Sequence, residues 1–212
     1  MLRIHLAAAA LLIVASGTAT ATTFRFDTDP FAGTTVRNAP GRQIVGGELF
    51  LGTFSLSNDM FSFDGNVFGV GTSVAFANNV AANLPPVALN VVVLQDTDND
   101  NNPGTPFGAG NAADLIAAQL TQSGPGFFIY MNSALNLRRF VYSTDLSDNT
   151  ADLKILARIL DPTGAAAIST LPNFTSANFQ ITTAPEPSSF ALLGAGVLLG
   201  SAALRRRLKE RR

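Results

Sequence analysis

Three aspartates spaced two residues apart are the part of this chain best suited to chemistry. In Gln95-Asp-Thr-Asp-Asn-Asp-Asn-Asn-Pro-Gly-Thr105, Asp96, Asp98 and Asp100 fall at positions i, i+2 and i+4. Carboxylates held so close repel one another, and a hard divalent cation relieves the repulsion; the spacing is that of the first three ligands of a calcium-binding loop. Asn101 stands where glycine makes the sharp turn, and Phe107 stands where a bidentate glutamate belongs. Asp114, early in the helix expected next, is placed to complete a calcium shell from outside the loop. The competing reading is a solvated acidic turn between a strand and that helix, so Ca2+ is the one cofactor the sequence raises.

Other constellations carry less. Gly108-Ala-Gly-Asn-Ala-Ala113 has the glycine pattern of a dinucleotide-binding turn, but it follows an acidic loop and not a strand, and no acidic residue lies about twenty positions on. Asp145, Asp148 and Asp152 form a second acidic group, for which capping or a second cation site is favoured over a carboxylate glycosidase. Cysteine is absent and the single histidine is His5, so the central region is without thiolate or imidazole catalysis and without zinc or haem sites that need those ligands. A Ser–Lys pair would have to use Lys154, the one lysine between the two ends. No catalytic residue is assigned, and the chain is not expected to be an enzyme.

The elements that must position these residues read as mainly β. Apolar alternation broken by Gly, Asn, Asp and Pro predicts strands over Thr23–Asp27, Leu49–Ser57, Met60–Phe63, Val67–Ala77, Val87–Gln95, Gly126–Met131, Leu137–Ser143 and Ala151–Leu160. Val91–Leu94 is apolar on both faces and reads as a central strand. Asn58-Asp59, Asp64-Gly65-Asn66 and Asn78-Asn79 are expected at hairpin turns. Fifteen of the 16 phenylalanines lie in this region, core material suited to a single β-sandwich of jelly-roll or Ig-like type with one short helix at Asn111–Gln122. Arg138-Arg139 sits inside an alternating strand, so at least one of its side chains is expected in solvent.

The ends differ from the middle. Arg3, the apolar run Leu6–Val14 and the small-x-small site Ala19-Thr-Ala21 make residues 1–21 a signal peptide, helical in its apolar part and cleaved after Ala21. At the other end Pro185-Glu186-Pro187 is followed by an apolar stretch to Leu204 and by Arg205–Arg212, which holds six basic residues. The apolar stretch predicts a transmembrane helix over about 188–204, short for a ~30 Å hydrocarbon core, with the arginines on the cytoplasmic side. With Arg3, the basic tail, Glu186 and Glu210 set aside, the central region holds seven basic and thirteen acidic residues. Its net negative charge argues against nucleic acid as a partner.

The ordered tail resembles the PEP-CTERM sorting signal of Gram-negative bacteria. Gly124–Arg158 also resembles blocks in uncharacterised PEP-CTERM proteins, which supplies no activity. The resemblance implies Pro185, Glu186 and Pro187 as the sorting and cleavage motif, an exosortase-type membrane protease as partner, and association with exopolysaccharide. The organisation is then a signal peptide (1–21), a β-sandwich domain (22–183) and a sorting signal (184–212). The chain is expected to cross the inner membrane, stay anchored there by its C-terminal helix, and reach the cell surface or extracellular matrix after processing. The expected role is structural or biofilm-associated, with a calcium-dependent carbohydrate-binding or adhesin module as the alternative.

Overall fold

The computed structural model describes residues 20–36, 39–121 and 124–183. The chain runs β1 (Thr23–Phe26), β2 (Ile44–Val45), β3 (Leu49–Thr53), β4 (Met60–Asp64), α1 (Gly65–Phe68), β5 (Phe76–Asn79) and β6 (Val91–Leu94). It continues through α2 (Ala109–Ala117), β7 (Gly126–Asn132), β8 (Leu137–Ser143), β9 (Leu153–Asp161), α3 (Gly164–Thr170) and β10 (Phe179–Thr182). The strands build two sheets. The smaller has the order β1-β4-β10; the larger has the order β2-β9-β8-β7-β6-β5, with β3 also on β9.

Phenylalanine alternation decides how the sheets meet. Phe61 and Phe63 of β4 stack on Phe140 and Phe127 of the larger sheet, at ring separations of 4.4 and 4.0 Å. Phe24, Phe26, Phe54, Phe174 and Phe179 extend the same apolar layer. The opposite face of the larger sheet is covered by α2, whose Ala112, Ala113 and Ile116 pack with Val92, Leu94, Phe128 and Ile155. β6 lies between β5 and β7 with all four residues buried, as its two apolar faces require.

The mainly β, two-sheet expectation holds, but the strand directions are not those of a jelly-roll or Ig-like sandwich, whose sheets are antiparallel. Both pairings of the smaller sheet are parallel, as are β5–β6, β6–β7 and those of β2 and β3 with β9. Only the β7-β8-β9 run is antiparallel. Parallel neighbours cannot be joined by a tight hairpin and need a long crossover. In the smaller sheet each crossover is an excursion to the larger one: β2 and β3 separate β1 from β4, and β5 to β9 separate β4 from β10, whereas β6 reaches β7 through α2.

That routing corrects several local expectations. Asp64-Gly65-Asn66 is no hairpin turn; Asp64 Oδ1 caps α1 by accepting the amides of Asn66 and Val67 at 2.9 and 3.4 Å. A side chain at Gly65 would begin 2.1 Å from the Gly71 carbonyl oxygen, which explains the glycine. The strand expected over Val67–Ala77 is therefore replaced at its start by α1, and only Phe76 and Ala77 enter β5. Asn78-Asn79 ends β5 and makes no turn; Asn78 Nδ2 donates to the Leu171 and Phe174 carbonyls at 2.9 Å each. The helix expected at Asn111–Gln122 is α2, shifted towards the N-terminus, and α1 and α3 add two more short helices.

Among the described residues no helix is long and apolar enough to cross a membrane. The signal helix before residue 20 and the span over 188–204 lie outside the described residues.

Candidate functional site

The acidic loop is organised by its own backbone. Asp96 Oδ2 accepts the Ala81 amide at 2.6 Å. Asp98 Oδ1 accepts the amides of Asn99 and Asp100 at 2.7 and 3.1 Å, and Asp100 Oδ1 accepts that of Asn102 at 2.9 Å. The bonds of Asp98 and Asp100 are turns in which a short side chain closes onto the amide ahead of it, whereas Asp96 reaches back fifteen residues. Asn101 has φ 57°, the left-handed conformation that the missing glycine would have taken. The Asp100 amide, above all, holds the Asp98 carboxyl below its usual range.

The structure does not bring Asp114 to that loop. Its carboxylate pairs with Arg42 Nη1 at 2.8 Å. Arg42 also donates from Nε to the Ala151 carbonyl at 3.2 Å, from Nη1 to the Gly110 carbonyl at 2.9 Å, and from Nη2 to the Asn149 carbonyl. Phe107, at the position of the bidentate ligand, is buried edge-on against Tyr130. Among the described residues no group of three or more His, Cys, Asp or Glu side chains is placed to hold a metal ion. As they stand, Asp96, Asp98, Asp100 and Asp114 do not fit a calcium shell.

The second acidic group is likewise engaged in turns. Asp145 Oδ1 accepts the amides of Gly124 and Ser147 at 3.0 and 2.9 Å. Asp148 Oδ1 accepts both the amide and the hydroxyl of Thr150 at 2.7 Å, and its carboxyl is held below the usual range by them. Asp152 Oδ1 accepts the Gln43 amide at 2.9 Å. In the glycine pattern, Asn111 Oδ1 accepts the Gly108 amide at 3.0 Å at the start of α2. Lys154 donates to the Gly46 carbonyl.

The densest polar cluster is one the sequence did not single out. Register places Tyr130 opposite Arg139, Arg139 opposite Arg158, and Arg158 beside Phe50, in one row across β7, β8, β9 and β3. Leu156 is the extra residue at the β8–β9 irregularity, since Phe140 pairs Ala157 while Val141 pairs Ile155. The bulge brings Arg158 into line with Arg139. Glu48, just before β3, accepts from Arg158 Nε and lies 3.5 Å from Arg139 Nη2. The Glu48 side chain is 6% exposed, Arg139 15% and Arg158 28%.

Burial pushes the Glu48 carboxyl up, but its own backbone amide and the Arg158 guanidinium outweigh that and hold it below the usual range. Burial raises the Tyr130 phenol, opposed by the Asn132 amide that donates to it at 3.0 Å. Arg158 lies over the Phe50 ring at 5.2 Å, and Phe50 is 65% exposed. Glu48 is the only glutamate between the two ends, which was the available signal. Its partners stand 91 and 110 positions away, and no local pattern could supply them.

Arg138-Arg139 is also corrected. Strand alternation sends the two side chains to opposite faces of β8, and both faces are covered. Arg138 is fully buried beside Phe174, donating to Thr170 Oγ1 at 2.8 Å and to the Asp161 carbonyl at 2.9 Å. That burial lowers its proton affinity.

Ala21 is exposed, two residues before β1. Pro185, Glu186 and Pro187 lie outside the described residues. A family model described as the PEP-CTERM protein-sorting motif matches residues 183–207. No curated protein and no solved structure matches the chain.

Proposed function

We propose that this chain, exported and sorted by an exosortase through the motif at residues 183–207, delivers a non-enzymatic β domain to the cell surface or extracellular matrix. Its role there is structural and exopolysaccharide-associated, of the kind that builds a biofilm. The observation that carries the reading is the position of the motif. β10 ends at Thr182 and the match begins at 183, so the cargo of the sorting signal is the two-sheet domain itself. The sheets stacked through their phenylalanines are read as a sandwich of mixed strand direction.

The polar chemistry supports a non-catalytic role. The carboxylates of both acidic groups accept backbone amides, Asp114 pairs with Arg42, and in the remaining charged cluster the one carboxylate of Glu48 is shared by the guanidiniums of Arg139 and Arg158. Exopolysaccharide association draws support from Phe50, 65% exposed on β3, with Ile44 and Leu49 also exposed on β2 and β3. An aromatic ring backed by a guanidinium offers a sugar ring both an apolar face and a hydrogen-bond donor.

Intact-mass analysis of protein from its own host tests the sorting step. Wild type should lose the segment from Phe190 to Arg212, and replacement of Pro185, Glu186 and Pro187 by alanine should leave a longer, membrane-retained species. Co-sedimentation with the host's exopolysaccharide tests the role, with binding reduced in Phe50→Ala. A wild-type chain that keeps Arg212 in exosortase-expressing cells overturns the processing, and equal sedimentation with and without polysaccharide overturns the association.

A further inference from the structure

The Thr22 amide donates to Asp59 Oδ1 at 2.9 Å, and the Ser55 amide donates to Oδ2 of the same carboxylate at 2.8 Å. Asp59, 8% exposed, precedes β4, and the Thr22 carbonyl accepts the Met60 amide at 3.0 Å. Both backbone groups of Thr22 are therefore fixed where β1 joins β4. Asn178 closes the same corner, its Nδ2 donating to the Leu56 and Asp59 carbonyls at 2.9 and 3.1 Å. Thr22 is also the residue that signal cleavage after Ala21 would leave first in the chain.

We propose that hydrolysis of the Ala21–Thr22 bond turns this contact into an ion pair between the Thr22 α-ammonium and the Asp59 carboxylate, a lock on β1 that exists only in the processed protein. The inference rests on the export reading. Water adds across the amide: Ala21 departs with a carboxylate, and the Thr22 nitrogen keeps the electron pair of the broken bond and becomes an ammonium. That nitrogen gains its charge without moving, since 2.9 Å is already the length of a charge-assisted hydrogen bond. Thr22 is exposed, so the remaining ammonium hydrogens stay in water while the buried carboxylate acquires a counter-charge.

The surroundings leave the pair isolated. Among the described residues, the Ser55–Asn58 turn, the Ser176–Asn178 turn and β10 carry no ionisable side chain. Arg25 lies further along β1 opposite Ser62, Asp27 follows β1, and Asp64 closes the far end of β4.

The full-length chain, expressed and processed in its own host, tests the proposal. The mass of the N-terminal peptide reports whether Thr22 comes first. Cyanate then reads the proton affinity of its amine, because only the unprotonated form reacts and a free α-amine titrates near pH ~8. At pH 7 the native amine should carbamylate about tenfold more slowly than in guanidinium-unfolded protein, the consequence of one pH unit in proton affinity. Asp59→Asn should return the native rate close to the unfolded one. In wild type alone the native–unfolded gap should close at alkaline pH, a readout that survives if the variant fails to fold.

A first residue other than Thr22 removes the ammonium and sinks both the cleavage position and the pair. A Thr22 terminus that labels at the unfolded rate leaves the cleavage standing and overturns the pair. A slow rate kept in Asp59→Asn, or a gap that persists unchanged at alkaline pH, means steric shielding and overturns it too.

Discussion

Replacing Glu48 with glutamine removes the one carboxylate between Arg139 and Arg158 while keeping its shape. Breaking a buried ion pair by deleting one partner costs about 3–5 kcal/mol, and an exposed pair is worth about 0–1 kcal/mol. The Glu48 side chain is 6% exposed but Arg158 is 28% exposed, so solvent offsets part of the loss. A cost of about 2 kcal/mol follows, or a fall in Tm of about 4–8 °C for a chain of this size. The sign of the pH dependence is fixed by the lowered carboxyl of Glu48. Its stabilisation is full above the unfolded glutamate pKa near ~4.3 and is lost as pH falls through the lower folded value. Melts of the processed protein by circular dichroism at pH 7 and at steps below pH 4 should show a gap between wild type and Glu48→Gln that shrinks on acidification. Midpoints that coincide at pH 7, or a gap that widens in acid, would falsify the buried pairing.

Further outcomes follow from other contacts. Phe63→Ala, which deletes the ring stacked on Phe127 at 4.0 Å, should cost about 3–5 kcal/mol in denaturant titration; a loss below about 1 kcal/mol would show that the sheets do not meet there. Gly65→Ala sets a methyl 2.1 Å from the Gly71 carbonyl oxygen and should lower Tm, whereas Gly52→Ala, with nothing within 4 Å, should change it little. Melts in calcium and in EGTA should superimpose, since Asp114 is paired with Arg42 and the loop carboxylates serve their own turns. A calcium-dependent rise that Asp98→Ala abolishes would restore the metal reading.

Strand content was legible where period and composition agreed. Leu137–Ser143 is recovered to the residue as β8, and the buried run Val91–Leu94 is central as its two apolar faces require. Strand direction was not legible. Alternation in β1, β4 and β10 reads the same for parallel and antiparallel partners, and what separates them is the routing of the intervening chain. The acidic loop misled for a related reason: Asp and Asn close local turns with the same short oxygens that ligate calcium. Asp114 decided against the shell only through Arg42, 72 positions earlier in the chain. Glu48 was invisible in the same way, because its pairing depends on a bulge at Leu156 that sets Arg158 opposite Arg139.

The interleaving of the two sheets along the chain has a consequence for an exported protein that is made from its N-terminus onward. The smaller sheet takes its strands from the first, middle and last parts of the domain, so no emerged portion can complete it before β10 arrives. Its contacts Phe61–Phe179 and Phe140–Phe179 join segments 118 and 39 positions apart, a long-range topology that makes assembly slow compared with local helix or hairpin formation. β10 ends one residue before the sorting match begins. The strand that completes the smaller sheet and the membrane address therefore emerge together, and that sheet is finished only as the sorting motif arrives at the bilayer.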